Sequence, residues 1–166
     1  MVLIDQNDAM ISTLKQYSSN SDTDFICHDL LSHPLENLRS CADIVVADPP
    51  WYLEHYRAFM LQAAISIRDL GHVYISLLPS NTRPEADDDR WSILEYARNL
   101  GFTLQSLQPK QLAYETPVFE LASLQQTNTK LSKTWRKGDL LLFRRTKEFS
   151  SSQDYSKKVQ DSLEND

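Results

Sequence analysis

Residues 42–52 read Ala-Asp-Ile-Val-Val-Ala-Asp-Pro-Pro-Trp-Tyr, and the rest of the chain is read outward from them. Asp43 to Ala47 is a short apolar run of the kind found in strands buried on both faces of a parallel sheet. It stops at Asp48-Pro49-Pro50-Trp51. Each proline fixes its own φ, removes a backbone donor and drives the preceding residue away from helix. Two in succession make a stiff extended corner that holds the Asp48 carboxylate forward. The Pro49 carbonyl is free of ladder pairing because Pro50 has no amide hydrogen. Two acceptors at a fixed separation, followed by an indole plane, suit a planar amino group. Its two N–H bonds can be given to the acceptors while its ring stacks on Trp51. Such a corner works by positioning and electrostatics rather than as a covalent nucleophile.

On either side, strands alternate with helices. Val2 to Asp5 reads as a short buried strand ending in an acid, and 8–17 as a helix capped by Asn7 or Asp8, with Met10, Ile11, Leu14 and Tyr17 at helical spacing. Phe25 to Cys27 is a second strand, closed by His28-Asp29, and a short helix follows Pro34 through Leu38. Residues 52–70 carry Tyr56, Phe59, Met60, Ala63, Ala64 and Ile67 in helical rhythm, and Gly71 stands where a left-handed cap belongs. His72 to Leu78 is a strand stopped by Pro79. Asp87-Asp88-Asp89 opens a further helix, where negative charge complements the helix dipole, and Gly101 caps it. On this helix Trp91 is assigned to the core. Strands follow at 102–107 and 139–144, and 117–125 fits either state. The pattern predicts an α/β domain over 1–145 and a disordered polar tail over 146–166. In open α/β sheets ligands gather beyond the carboxyl ends of strands, where Asp5, Asp29 and Asp48 stand.

Composition narrows the function. The chain has 166 residues, one domain's worth, and a net charge of −6, which opposes holding duplex DNA by bulk charge. No apolar run is long enough to span a membrane, and no amino-terminal secretory pattern is present. Cys27 and Cys41 fit a reducing compartment, hence a cytoplasmic location, and Cys41 reads as a small buried apolar residue. His28, His33, His55 and His72 lack metal-ligand spacing, so no metal is expected. Lys130, Lys133, Arg136 and Lys137 around Trp135 read as a solvated basic loop.

The stretch 42–52 resembles the amino-methylating motif of class I S-adenosylmethionine-dependent methyltransferases, in which an Asp/Asn-Pro-Pro-aromatic tetrad grips a target nitrogen of adenine, cytosine, a glutamine amide or a lysine. The resemblance covers about residues 1–145. It implies a Rossmann-like sheet, mainly parallel, with helices on both faces. It implies S-adenosylmethionine as cofactor, with Asp5 on the ribose hydroxyls, Gln6 along the adenine, Asp29 near the adenine amino group and Leu30 packed on the ring. Asp48, Pro49, Pro50 and Trp51 would grip the acceptor, expected to be a nucleobase of the adenine type in a single strand or flipped from a duplex. Residues 28–51 are also similar to branched-chain polyamine synthases, which transfer an aminopropyl group from decarboxylated S-adenosylmethionine.

One part of the family pattern is missing. Methyltransferases place a first strand and a glycine-rich turn ahead of the Asp5 strand, where the methionine end of the cofactor binds. Here the only glycines are Gly71, Gly101 and Gly138, and no Gly-x-Gly occurs. The expectation is a sheet truncated at its amino-terminal side: a fragment, a domain completed by a partner chain, or a degenerate fold serving as a binding subunit. Residues 1–166 alone are then expected to bind S-adenosylmethionine poorly or not at all. Loss of a central strand bares the backbone of its neighbours. This predicts either direct pairing of the 2–5 and 43–47 strands or a partner that fills the gap.

Overall fold

The computed structural model describes residues 1–18, 22–80, 82–115 and 136–146. Six strands and three helices follow one another: β1 Val2–Asp5, α1 Asp8–Tyr17, β2 Asp24–Cys27, β3 Ala42–Ala47, α2 Leu53–Ser66, β4 Ile67–Leu77, α3 Ala86–Asn99, β5 Phe102–Tyr114 and β6 Arg136–Arg145. A 3-10 turn at Glu36–Leu38 stands where the short helix was expected. The basic stretch 130–135, the ambiguous stretch 117–125 and the tail 147–166 lie outside the described residues.

The strands form two sheets. β1 and β2 pair in parallel by themselves, and the other four run in the order β3-β4-β6-β5. β3 pairs parallel to β4, while β6 is antiparallel to both β4 and β5. The larger sheet is therefore mixed, in place of the mainly parallel sheet expected. β5 and β6 are consecutive strands, and such neighbours pair antiparallel unless a long crossover separates them. β1 and β3 do not pair with one another. The direct contact that was one of the two expected outcomes is not formed, and the two strands flank an open gap.

The core lies between the four-stranded sheet and helices α2 and α3. Val73, Ile75 and Leu77 of β4 and Leu141 and Phe143 of β6 face Tyr56, Met60, Ala63, Ile93 and Ala97, all essentially inaccessible. Burying each large apolar side chain contributes about 1.5–3 kcal/mol. Trp91, expected in this core, is exposed. It stands two residues from the buried Ile93, roughly 200° around the helix, and so points away from the sheet. Cys41, expected to be buried, is also exposed, because it borders the gap beside β3.

Helix α2 ends at Ser66, earlier than the apolar rhythm predicts. Its last carbonyls find partners outside the helix. The buried Arg145 guanidinium donates to the Ala64 and Ile67 carbonyls, and the Ser40 amide donates to Ile65 at 2.9 Å. Ile67 pairs with Ala42 and belongs to β4, and the chain then loops out before His72 pairs with Ile44. Leu70 holds the positive φ of that loop, 63°, in place of Gly71. Gly71 is required for a different reason: a Cβ there would lie 2.9 Å from the Asp43 carbonyl and 2.7 Å from Ile67. At the end of α3, Gly101 takes φ 88° and caps as expected.

Candidate functional site

Asp48 follows the last residue of β3, and the corner turns immediately beyond it. Pro49 is buried, Pro50 is exposed, and the Pro50 carbonyl accepts the Tyr52 amide at 2.8 Å, so the corner closes on itself before α2 begins. The Asp48 carboxylate is held from two other strands of the sheet, the adjacent β4 and the far-edge β5. Ser76 Oγ of β4 donates to its Oδ1, and Tyr114 Oη of β5 donates to the same atom at 2.8 Å. Among the described residues no hydrogen bond falls on Asp48 Oδ2 or on the Pro49 carbonyl.

Tyr114 is placed by a glycine. Gly138 on β6 has no side chain, and a Cβ built there would sit 3.0 Å from Tyr114 Cε2 and 3.3 Å from its hydroxyl. The phenol therefore lies across β6 and reaches Asp48. Burial pushes its pKa up to about 12, with the Asp48 carboxylate acting in the same direction and the Ser76 hydroxyl against it. Beneath it the buried Tyr56 hydroxyl accepts the Leu78 amide at 2.9 Å, and burial pushes its pKa up as well.

The indole of Trp51 is half-buried against the core and meets Tyr114 edge-on, with ring centres 5.6 Å apart at 87°. The aromatic ring that this corner presents to solvent is Tyr52, 58 % exposed, with the Arg83 guanidinium 5.8 Å from its centre. Arg83 also donates to the Trp51 carbonyl at 2.6 Å and pairs with Asp89, which ties the corner to the start of α3.

The gap between the sheets is a cavity of about 1030 Å³. Its long sides are β1 and β3, and α2 supplies part of its wall through Phe59 and Ala63. Six of the eight residues singled out from the sequence border it: Asp5, Gln6, Asp29, Leu30, Asp48 and Pro50. Pro49 and Trp51 do not. Asp5 Oδ1 accepts the Asn7 amide at 2.7 Å, and Asp29 Oδ1 accepts the Leu31 amide at 2.9 Å, so each acid shapes its own turn. Asn7, and not Asp8, caps α1, by accepting the Met10 amide. Among the described residues no group of three acidic, histidine or cysteine side chains is placed to hold a metal ion, and no helix is long and apolar enough to cross a membrane.

Tyr114, Ser76, Tyr52 and Arg83 were not singled out from the sequence. The contacts that Ser76, Arg83 and Tyr114 make to the corner span 28 to 66 residues, and no local periodicity reports that. Gly138 is the one available signal, since an isolated glycine inside a strand marks close approach of a neighbour.

Comparison with solved structures fits this geometry. The chain is similar to the branched-chain polyamine synthase of Thermus thermophilus, solved with N4-aminopropylspermidine and 5'-methylthioadenosine. The TM-score is 0.69 at 16% identity, over 91% of this chain and 47% of that one. It is similar to a putative methyltransferase of Bacillus halodurans, with TM-score 0.57 and 12% identity, over 88% and 83% of the two chains. It is also similar to the N-methyltransferase NodS of Bradyrhizobium japonicum, with TM-score 0.55 and 13% identity, over 88% and 73%. The fold is the Rossmann-like α/β fold of these transferases. The chain spans about half the length of the polyamine synthase it matches. No protein-family model and no curated protein matches the sequence.

Proposed function

We propose that this chain carries the acceptor side of a site that transfers an alkyl group from a cofactor of the S-adenosylmethionine type to an amino nitrogen. The observation that carries the reading is the Asp48 carboxylate. It is fixed through Oδ1 by Tyr114 and Ser76, with no hydrogen bond on Oδ2 among the described residues, at a cavity also bordered by Asp5, Gln6, Asp29 and Leu30.

The residues present fit the nucleoside half of such a cofactor. Two carboxylates stand at the carboxyl ends, Asp5 as the last residue of β1 and Asp29 two residues beyond β2, each with one oxygen engaged by a backbone amide and the other without a described hydrogen bond. Asp5 would hold the ribose hydroxyls, Gln6 and Leu30 would flank the adenine, and Asp29 would meet its amino group. When bound, the cofactor supplies an electrophilic carbon on a sulfonium sulfur. The chain supplies the positioning. Asp48 and the Pro49 carbonyl accept the two N–H bonds of the acceptor and aim its lone pair. The carboxylate charge also stabilises the positive charge that develops on nitrogen.

The acceptor fitting the sequence motif is a planar amino group, and an adenine-type nucleobase is one such group, with an aromatic side chain of Trp51 or Tyr52 as its platform. A second reading, aminopropyl transfer to a polyamine, is favoured by two observations. Similarity in fold is greater to the polyamine synthase than to the methyltransferases compared with it, 0.69 against 0.55–0.57, and the net charge of −6 attracts polycations. Supplying labelled S-adenosylmethionine or its decarboxylated form, with either an adenine-containing oligonucleotide or spermidine, separates them. Label in the oligonucleotide from the first donor supports methyl transfer, and label in spermidine from the second supports aminopropyl transfer. No label in either acceptor, with the chain joined to an amino-terminal strand and glycine-rich turn of the methyltransferase type, contradicts both.

A further inference from the structure

We infer that this chain pairs with a second copy of itself about a two-fold axis beside β5 and α3. The edge strand is the first argument. Among the described residues β5 pairs with β6 alone, which leaves its other side bare. The Gly101 carbonyl accepts the Thr146 amide at 3.1 Å, so the backbone of Gly101 and Thr103 faces β6. The N–H and C=O groups of Phe102 and Leu104 therefore face outward. Strand edges of monomeric proteins are commonly guarded by charge. This one carries no charged side chain before Lys110, and Leu104 and Leu107 are exposed on it.

Helix α3 is the second argument. Ile93 and Ala97 face the core. On one flank Asp89 pairs with Arg83, beside the corner that precedes α2. On the other flank Arg90 reaches Asp139 of β6, whose second oxygen accepts the Lys110 amide of β5. The Arg90 flank is therefore turned toward β5. Further round that side, Asp87, Trp91, Leu94 and Arg98 form one stripe, at successive spacings of four, three and four residues. Trp91 is 73 % exposed, Asp87 and Arg98 are exposed, and Leu94 is half-buried. Leu104 and Leu107 pair with the buried Phe143 and Leu141, so they lie on the same face of the sheet as α3. Helix stripe and strand edge thus flank one uncovered strip of apolar surface.

The occupant follows from the order of residues in the stripe, which is complementary to itself. A two-fold axis normal to the sheet joins two β5 edges antiparallel and sets the two α3 helices side by side on one face, also antiparallel. Asp87 of one copy then stands opposite Arg98 of the other, and Trp91 opposite Leu94, because both pairs share one midpoint between Ser92 and Ile93. Acid meets base at each end, and the apolar residues meet in the middle. Arg98 has Glu95 at 3.7 Å on its own helix, an exposed contact weak enough to yield. The net charge of −6 pushes copies of this chain apart over most of the surface, whereas along this stripe the charges match.

The test reads mass and not transfer, so it stands apart from the proposed chemistry. Sedimentation of the full chain at rising concentration should show a monomer–dimer equilibrium. Trp91→Ala should raise the dissociation constant by about thirtyfold. Asp87→Arg and Arg98→Asp should each raise it by about tenfold, and the two together should restore it, because the pair is then only reversed. All three positions are exposed, so circular dichroism of the variants should match the native chain. Hydrogen exchange at the Phe102 and Leu104 amides should slow as the dimer fills. Four results overturn the inference: a monomer up to about 100 µM, a dimer indifferent to Trp91→Ala and to both charge reversals, a double reversal as weak as either single one, or those amides already slow in the monomer because the chain covers its own edge.

Discussion

The phenolic oxygen of Tyr114 lies 2.8 Å from Oδ1 of Asp48, a contact that joins two residues 66 positions apart. It fixes the carboxylate through one oxygen, and among the described residues no hydrogen bond falls on the other. Tyr114 is on this account a positioning residue. Tyr114→Phe should cost about 1 kcal/mol of stability through the lost hydrogen bond. It should lower the turnover number of transfer by about tenfold, with KM for the acceptor changed much less. Steady-state kinetics against acceptor concentration separates the two. A purely structural role would move the melting temperature and leave turnover intact.

Alkaline pH tests the same contact without a ligand. The Tyr114 phenol is pushed up to about 12, chiefly by burial, from an ordinary value near 10. Below about pH 10 both folded and unfolded chains keep the proton, and the stabilisation is fully present. Above it the unfolded chain loses the proton first, so stability falls as pH rises toward about 12. Tyr56, raised by burial too, adds to the same trend. Urea unfolding followed from about pH 9 to about pH 12 should show the difference between the native chain and Tyr114→Phe shrinking as pH rises. A difference that stays constant contradicts the buried phenol.

Gly138→Ala places a methyl group 3.0 Å from Tyr114 Cε2 and 3.4 Å from the Leu77 carbonyl. The ring has to shift by a few tenths of an ångström, at a cost of about 1 kcal/mol. Its hydroxyl then loses its alignment on Asp48. Chemical denaturation should record the loss, and tyrosinate absorbance should report a phenol titrating closer to its ordinary range. Full retention of both properties would show that Tyr114 does not need the space.

Away from the site, Arg90 of α3 donates to Asp139 of β6 at 2.8 Å and also to the Leu78 carbonyl. The other Asp139 oxygen accepts the Lys110 amide at 2.8 Å, at the bulge where Lys110 takes φ 56°. Both side chains are largely shielded from water, 14 % and 8 % exposed. Arg90→Ala strands a buried carboxylate and should cost about 3 kcal/mol, measured by denaturant midpoint. An effect below about 1 kcal/mol would place the pair with exposed ion pairs.

The legible parts of the fold are those with strong local patterns. β1 and α1 match their sequence boundaries because an apolar run ends at an acid and Asn7 then caps the helix. The end of α2 was misread because Ile67 is as suitable for a strand as for a helix, and only its pairing with Ala42 decides. β5 runs seven residues past its expected end because a bulge around Lys110 absorbs the proline at 109. At the site, the acids and the diproline corner were readable because rigid backbone chemistry announces them. The hydroxyls that hold Asp48 were not, because strand order brings Ser76 and Tyr114 to it from two other strands. The open gap was legible as a missing glycine turn, and the structure shows it as two strands each paired on one side only.

The account's central claim is that the Asp48 carboxylate orients an acceptor amine for alkyl transfer. Asp48→Asn tests it most directly, because the amide oxygen can still accept the Ser76 and Tyr114 hydroxyls while the charge is gone. The measurement is transfer of label from S-adenosylmethionine and from its decarboxylated form to the amine acceptors, by the chain joined to an amino-terminal strand and glycine-rich turn of the methyltransferase type. The account predicts transfer by the native chain that falls by about a hundredfold or more in the variant, with an unchanged unfolding midpoint. Equal transfer by the native chain and the variant, or no transfer by the native chain under any of these conditions, would contradict it.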